Sequence, residues 1–198
     1  MVNDKTTLRS RLLAARAGMS PEQRKEAAEA LAGRSLELVP AQVPAVVAGY
    51  VSIGAEPGTR ALLDALRARG VRVLLPVLLA DNDLDWGTYE GTQRLVRARM
   101  GLWEPEGARL GPEAVCGADL VLMPGLAVDR QGVRLGRGGG SYDRVLARLA
   151  AAGSPARLVT LLYDSEVLPS VPAEPHDRRV DAAVTPSKLY LFEGATGG

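Results

Sequence analysis

A chain of 198 residues is the length of one ordinary domain, so one core spanning 1–198 is expected. Its 24 basic and 23 acidic side chains leave a net charge of +1, which excludes a chain-wide field for nucleic acid or an anionic membrane and makes any anion recognition local. One cysteine excludes an internal disulfide framework, one histidine beside it is too little for a four-ligand zinc site, and 46% apolar residues argue against a disordered chain.

In chain order, Leu8, Leu12 and Leu13 fall at helical spacing between arginines, predicting an amphipathic helix over Thr6 to Ala17. Ser20-Pro21-Glu22-Gln23 reads as a helix start, with Ser20 as cap, Pro21 in the first turn and Gln23 closing a capping box; Gly33 is the expected stop. The chain then alternates. Ala45 to Ser52 is an apolar run of strand length, Thr59 to Arg69 an amphipathic helix closed by Gly70, and Val71 to Leu79 a second buried strand in which Pro76 suggests a bend or an edge.

Asp81 to Arg99 changes to polar and aromatic alternation, which predicts short strands or a hairpin near Gly87 and Gly91. Ala118 to Val128 is again a buried strand, Tyr142 to Ala152 a helix, Arg157 to Tyr163 a strand, and Arg179 to Thr185 a last short one. Strands and helices in this order predict an α/β fold: a single three-layer α/β/α domain with a mostly parallel, Rossmann-like sheet. Ligands of such sheets bind along the carboxyl edge of the strands. No apolar run reaches the roughly 18 residues of a membrane span, and the opening residues lack the apolar segment of a secretion signal, so a soluble, cytoplasmic monomer is expected, with no nucleic acid and no membrane as partner.

The densest chemical signal is Asp129 to Arg144, DRQGVRLGRGGGSYDR. Gly136, Gly138, Gly139 and Gly140 allow backbone N–H groups to turn onto an anion, and the helix that follows adds its positive end. From Asp129 to Arg148 five arginines face two aspartates, a local excess of +3 in a chain of +1. Arg134 and Arg137 suit phosphate oxygens, and Asp143 suits Mg2+ directly or through water. No Lys-Ser/Thr follows the glycines and GRGGGS departs from G-x-G-x-x-G, so neither a Walker A loop nor a dinucleotide fingerprint is present.

Residues 132–144, GVRLGRGGGSYDR, resemble the signature GxRLGxGxGYYDR of the 5-formyltetrahydrofolate cyclo-ligases, also called 5,10-methenyltetrahydrofolate synthetases. The resemblance extends to Lys5-Thr-Thr-Leu-Arg9, to Tyr50-Val-Ser52 with Glu56, to Gly101-Leu-Trp-Glu104-Pro105, and to His176-Asp177 with Val180-Asp181. It implies cyclisation of 5-formyltetrahydrofolate to 5,10-methenyltetrahydrofolate with ATP as co-substrate and Mg2+ as cofactor, through phosphorylation of the formyl oxygen.

Carried over position by position, the resemblance puts Lys5, Thr6, Thr7, Leu8 and Arg9 on ATP, together with Arg134, Leu135, Gly136, Arg137, Gly138, Gly139, Gly140, Ser141 and Tyr142. It puts Val51 and Glu56 on the folate with Arg137 to Ser141, makes Arg137, Gly139 and Tyr142 the catalytic set, and places Mg2+ near Asp143 and Asp181. Trp103 is then a candidate to pack on the folate rings, while His176 has a structural or nucleotide-edge role. Ser141 departs from the first Tyr of the signature's pair, which bears on affinity more than on reaction class. On the residues alone, a non-catalytic folate- or nucleotide-binding domain and a kinase or ligase with another acceptor stay open.

Overall fold

The computed structural model describes residues 4–41, 45–174 and 177–192; His176 lies outside them. The elements are α1 (Lys5–Ala17), α2 (Pro21–Ser35), β1 (Val46–Ala48), α3 (Arg60–Ala68), β2 (Arg72–Leu78), β3 (Leu84–Thr88), β4 (Leu95–Arg97) and β5 (Trp103–Pro105). They continue with β6 (Leu120–Pro124), β7 (Ala127–Asp129), β8 (Arg134–Leu135), α4 (Ser141–Ala151), β9 (Arg157–Leu161), β10 (Val167–Leu168), β11 (Ala182–Val184) and β12 (Leu189–Leu191).

Seven strands form the central sheet in the order β12-β11-β9-β6-β1-β2-β3. Its five inner strands are parallel, and the edge strands β3 and β12 run antiparallel to their neighbours. Successive side chains serve opposite faces, as the period of a strand requires. Val73 and Leu75 join Val47 and Leu122 under α2 and α3, whose Leu31, Leu62, Leu63 and Leu66 complete that core. Leu74, Val121 and Met123 point the other way, onto Val145, Leu146 and Leu149 of α4. The result is the expected three-layer α/β/α arrangement. Outside it, α1 lays Leu8 and Leu12 on the small sheet β10-β7-β8, and β4 pairs with β5 in a separate hairpin.

The chain leaves β1 through α3 to reach β2 on one side, while β6 lies on the other and continues toward α4 on the opposite face. The strand order therefore reverses between β1 and β6, and their carboxyl ends diverge into a crevice. Pro76 helps open it. β1 pairs with β2 only as far as Leu74, so the proline's missing N–H costs no ladder bond on that side.

Three local expectations need correction. α2 runs past Gly33 to Ser35, because Leu31, Ala32 and Ser35 are buried and packing holds the turn; the capping box of Ser20 and Gln23 is present. The Ala118 to Val128 run is two strands, broken at Gly125, whose carbonyl is taken by Arg16 at 2.6 Å instead of a ladder partner. The β2–β3 turn lies at Asp81 to Asp83, with Asn82 at φ 66°, rather than near Gly87 or Gly91, which sit within and after β3. Among the described residues no helix is long and apolar enough to cross a membrane.

Candidate active site

A cleft of about 1080 Å³ opens over the carboxyl ends of β1, β2 and β6. Its floor includes Tyr50, Val51, Leu78 and Pro124, and one wall is the whole run from Arg134 to Asp143. Lys5, Thr6 and Arg9 of α1 close a second side, and Met100, Leu102 and Trp103 of the β4–β5 hairpin a third.

The glycine-rich run connects β8 to α4. Gly140 caps the helix in the left-handed conformation, at φ 78°, and no side chain caps it. The first-turn amides of α4 therefore face the cleft with the helix's positive end behind them. Gly136 is needed for close approach: a Cβ there would stand 2.9 Å from a guanidinium nitrogen of Arg134.

Arginines shape this wall from inside and outside. Arg9 donates from Nε to the carbonyl of Gly136 at 2.9 Å, which fixes the loop and leaves its terminal nitrogens without a partner among the described residues. Arg134 is buried, donates to the Pro124 carbonyl at 2.9 Å and lies 3.4 Å from Asp143, while its Nε has no partner among the described residues. Burial lowers the Arg134 pKa, and the nearby Asp143 carboxylate only partly offsets that effect. A buried cation that is under-partnered on its own chain attracts a further anion.

Arg137 is half exposed and touches Glu56 at 3.2 Å. Glu56 is 10% exposed at its side chain, and its second oxygen accepts the Ile53 N–H at 2.9 Å. It thus presents one carboxylate oxygen to the cleft in a fixed orientation. The hydroxyls of Tyr50 and Tyr142 are buried with no hydrogen-bond partner among the described residues, and burial raises both phenol pKa values. Lys5 is bound to Asp177 at 2.9 Å and Glu174 at 3.3 Å; burial opposes its charge, but those two partners outweigh it and raise its pKa.

The structure brings together most of the expected residues: Lys5, Thr6, Arg9, Val51, Glu56 and all of Arg134 to Asp143 line one cleft. Two others of the α1 set do not line it, since Leu8 is buried in the small core with Leu126 and Ala127, and Thr7 is exposed outside the lining. Asp181 is a correction as well. It precedes β11 at the amino edge of the sheet, accepts the Leu158 N–H at 2.7 Å, and is absent from the cleft that holds Asp143. Trp86 is fully buried core, whereas Trp103 is a cleft wall. Tyr50 and Leu102 fall inside segments that the resemblance covers but are not singled out there, and Met100 carried no signal, because a hairpin tip enters a site through tertiary placement alone.

Comparison with known proteins gives a consistent assignment. Residues 1–186 match the model of the 5-formyltetrahydrofolate cyclo-ligase family. A 5-formyltetrahydrofolate cyclo-ligase of Mycolicibacterium smegmatis is 44% identical over 192 residues, covering 93% of this chain and 94% of the relative. That of Escherichia coli is 31% identical over 177 residues, covering 88% and 96%. The solution structure of Aquifex aeolicus 5,10-methenyltetrahydrofolate synthetase superposes with a TM-score of 0.80 at 27% identity, over 98% of this chain and 95% of that one. With the signature loop, the α1 residues and Glu56 gathered at one sheet edge, the chain belongs to the 5-formyltetrahydrofolate cyclo-ligase family.

Proposed function

We propose that the protein closes 5-formyltetrahydrofolate to 5,10-methenyltetrahydrofolate at the expense of ATP, releasing ADP and phosphate. The observation that carries this reading is the meeting, in one cleft, of an anion-binding loop at the start of α4 with a single oriented carboxylate, Glu56. The first suits a polyphosphate, and the second suits the amino and ring N–H donors of a pterin.

Within that cleft the formyl oxygen attacks the terminal phosphorus and ADP leaves. The second folate nitrogen then attacks the formyl carbon, its proton departs, and the carbon–oxygen bond breaks to expel phosphate. Phosphorylation makes a good leaving group of the oxygen, so the protein contributes position and charge neutralisation more than acid–base chemistry. Loop amides from Gly138 to Tyr142 and the guanidinium of Arg137 face the charge that develops on the phosphoryl oxygens. Arg137 is held to Glu56 by one contact and is half exposed, so it exchanges that carboxylate for phosphate as the pterin takes its place on Glu56. Tyr142 offers its orphaned hydroxyl from beneath the loop.

The donor set fits Mg2+ as an ion carried largely by phosphate. Asp143 supplies a carboxylate with a 70% exposed side chain at the loop's end, and among the described residues no three acidic, histidine or cysteine groups form a cage. Asp143 would hold the ion, which supplies neutralisation of the polyphosphate charge.

The test is spectroscopic. Near-ultraviolet absorbance of the methenyl product is expected to rise with 5-formyltetrahydrofolate and Mg-ATP, with one ADP per product and none without ATP. Folate binding with no product under those conditions would replace this reading with that of a non-catalytic folate-binding domain.

A further inference from the structure

The turn that carries Glu56 is built as a head on a stalk. At the stalk, the Thr59 hydroxyl accepts the Ser52 N–H at 2.9 Å and the Ser52 hydroxyl accepts the Thr59 N–H at 3.1 Å. In the head, Glu56 is bonded twice to Ile53: its N–H donates to the Ile53 carbonyl at 3.1 Å, and its carboxylate accepts the Ile53 N–H at 2.9 Å. Residues 53–56 therefore hold their own shape, with Gly54 supplying the left-handed position at φ 58°. What these internal bonds do not fix is the tilt of the whole head, and with it the place of the carboxylate in the cleft.

Among the described residues, one hydrogen bond reaches the backbone of this head from another element: Tyr163 donates its hydroxyl to the Ala55 carbonyl at 3.2 Å. Tyr163 is buried and does not line the cleft. It is itself gripped. Its N–H donates to Glu166 at 2.8 Å, and the Arg16 guanidinium, held by both oxygens of that same Glu166, lies over its ring at 5.7 Å from the centroid. Burial raises the Tyr163 pKa by more than the Arg16 charge lowers it, so the phenol stays a donor at neutral pH. Arg16 stands in the last turn of α1, and Arg9, about two turns earlier on the same helix, fixes the glycine-rich loop. The path from phosphate loop to folate carboxylate thus runs through side chains packed away from water.

We infer that Tyr163 is a positioning residue for the Glu56 carboxylate: its hydroxyl sets the tilt of the Glu56 turn relative to α1, with Arg16 and Glu166 as its mount. The inference rests on the cyclo-ligase reading for the identity of the ligand at Glu56. A hydrogen bond weakens steeply away from its preferred length and angle, so a head that tilts loses the N–H donors of a pterin, while polyphosphate on the loop is held as before. Tyr163 therefore acts on one of the two substrates, and only through Glu56.

The experiment uses Tyr163→Phe, which removes the hydroxyl and keeps the ring against Arg16, and Glu56→Gln, which keeps one acceptor oxygen and removes the charge. The parent, both single variants and the double variant are titrated calorimetrically with 5-formyltetrahydrofolate and with Mg-ATP, and KM is measured for each substrate where product forms. Tyr163→Phe is expected to weaken folate binding by about fivefold, the worth of one hydrogen bond, with ATP affinity within about twofold of the parent. On the Glu56→Gln background the same change is expected to move folate binding by less than about twofold, because the carboxylate that Tyr163 positions is already gone. Unchanged folate binding in Tyr163→Phe, an equal loss for ATP, or the same loss on both backgrounds would overturn the positioning role. Absence of product from the parent with both substrates present would overturn the cyclo-ligase reading instead, and the folate titrations would then still decide whether Tyr163 acts through Glu56.

Discussion

Two Arg–Glu pairs, one buried beneath α1 and one on the cleft wall, differ in almost every physical respect. Arg16 and Glu166 are sealed, with side chains 4% and 3% exposed, and are joined through both carboxylate oxygens at 2.6 and 2.8 Å. The same arginine holds the Gly125 carbonyl, and the same carboxylate accepts the Tyr163 N–H, so α1, the break after β6 and the turn after β9 share one network. Arg137 and Glu56 have a single contact at 3.2 Å, and the arginine is half in water. Solvent access and the number of bonds separate a strut from an exchangeable latch: breaking the first strands a charge in low dielectric, while breaking the second lets water or phosphate take over.

Breaking the strut is expected to have the largest effect. Glu166→Gln leaves Arg16 under-compensated inside the protein and is expected to cost about 3–5 kcal/mol in denaturant unfolding, as for other truncated buried pairs. A loss under 1 kcal/mol would show that water reaches this network and that the two pairs are of one kind. Breaking the latch reads out in turnover. Arg137→Ala is expected to lower kcat by about a hundredfold, the scale of losing one donor to developing charge, with the melting temperature within about 2 °C of the parent. A normal kcat would assign Arg137 to Glu56 alone.

The two aspartates of the metal expectation sharpen the same distinction on a smaller scale. Asp143→Asn is expected to raise the Mg2+ concentration for half-maximal activity by roughly threefold to tenfold, whereas Asp181→Asn leaves that titration unmoved, since Asp181 serves the Leu158 amide. Identical titrations in both variants would leave Asp143 as a partner of Arg134 only. The smallest effect concerns acid. The Arg148 hydrogen bond holds the Asp83 carboxyl below its usual range against the opposing effect of burial. A depressed folded-state pKa means stability that is present above the unfolded value, about 3.9, and lost as pH falls through the folded one. Arg148→Met is therefore expected to lower unfolding free energy by about 1 kcal/mol at pH 7, with the gap to the parent closing below about pH 4.

What was legible in the sequence followed from local rules. The alternation of apolar runs and amphipathic helices located all five parallel strands, α3 and α4, and the glycines among arginines located the anion site. Strands β8, β10 and β12 escaped because two or three residues carry no period. Gly33 was misread as a stop because propensity yields to the packing of Leu31 and Ser35. The hardest features were those joined across the chain: Arg16 and Glu166 are 150 positions apart, and nothing in either neighbourhood announces the other. Asp181 is the converse case. It stands near a motif in the sequence, yet the direction of β11 sends it to the opposite edge from Asp143.

Gly140 has a consequence for how the protein responds to what it binds. A serine or aspartate that caps a helix does so from extended backbone, whereas Gly140 enters α4 in the left-handed conformation and leaves the opening turn to be finished by a visitor. Cargo then becomes part of the secondary structure, and heat resistance should climb with nucleotide concentration in the manner of a fold completed on loading.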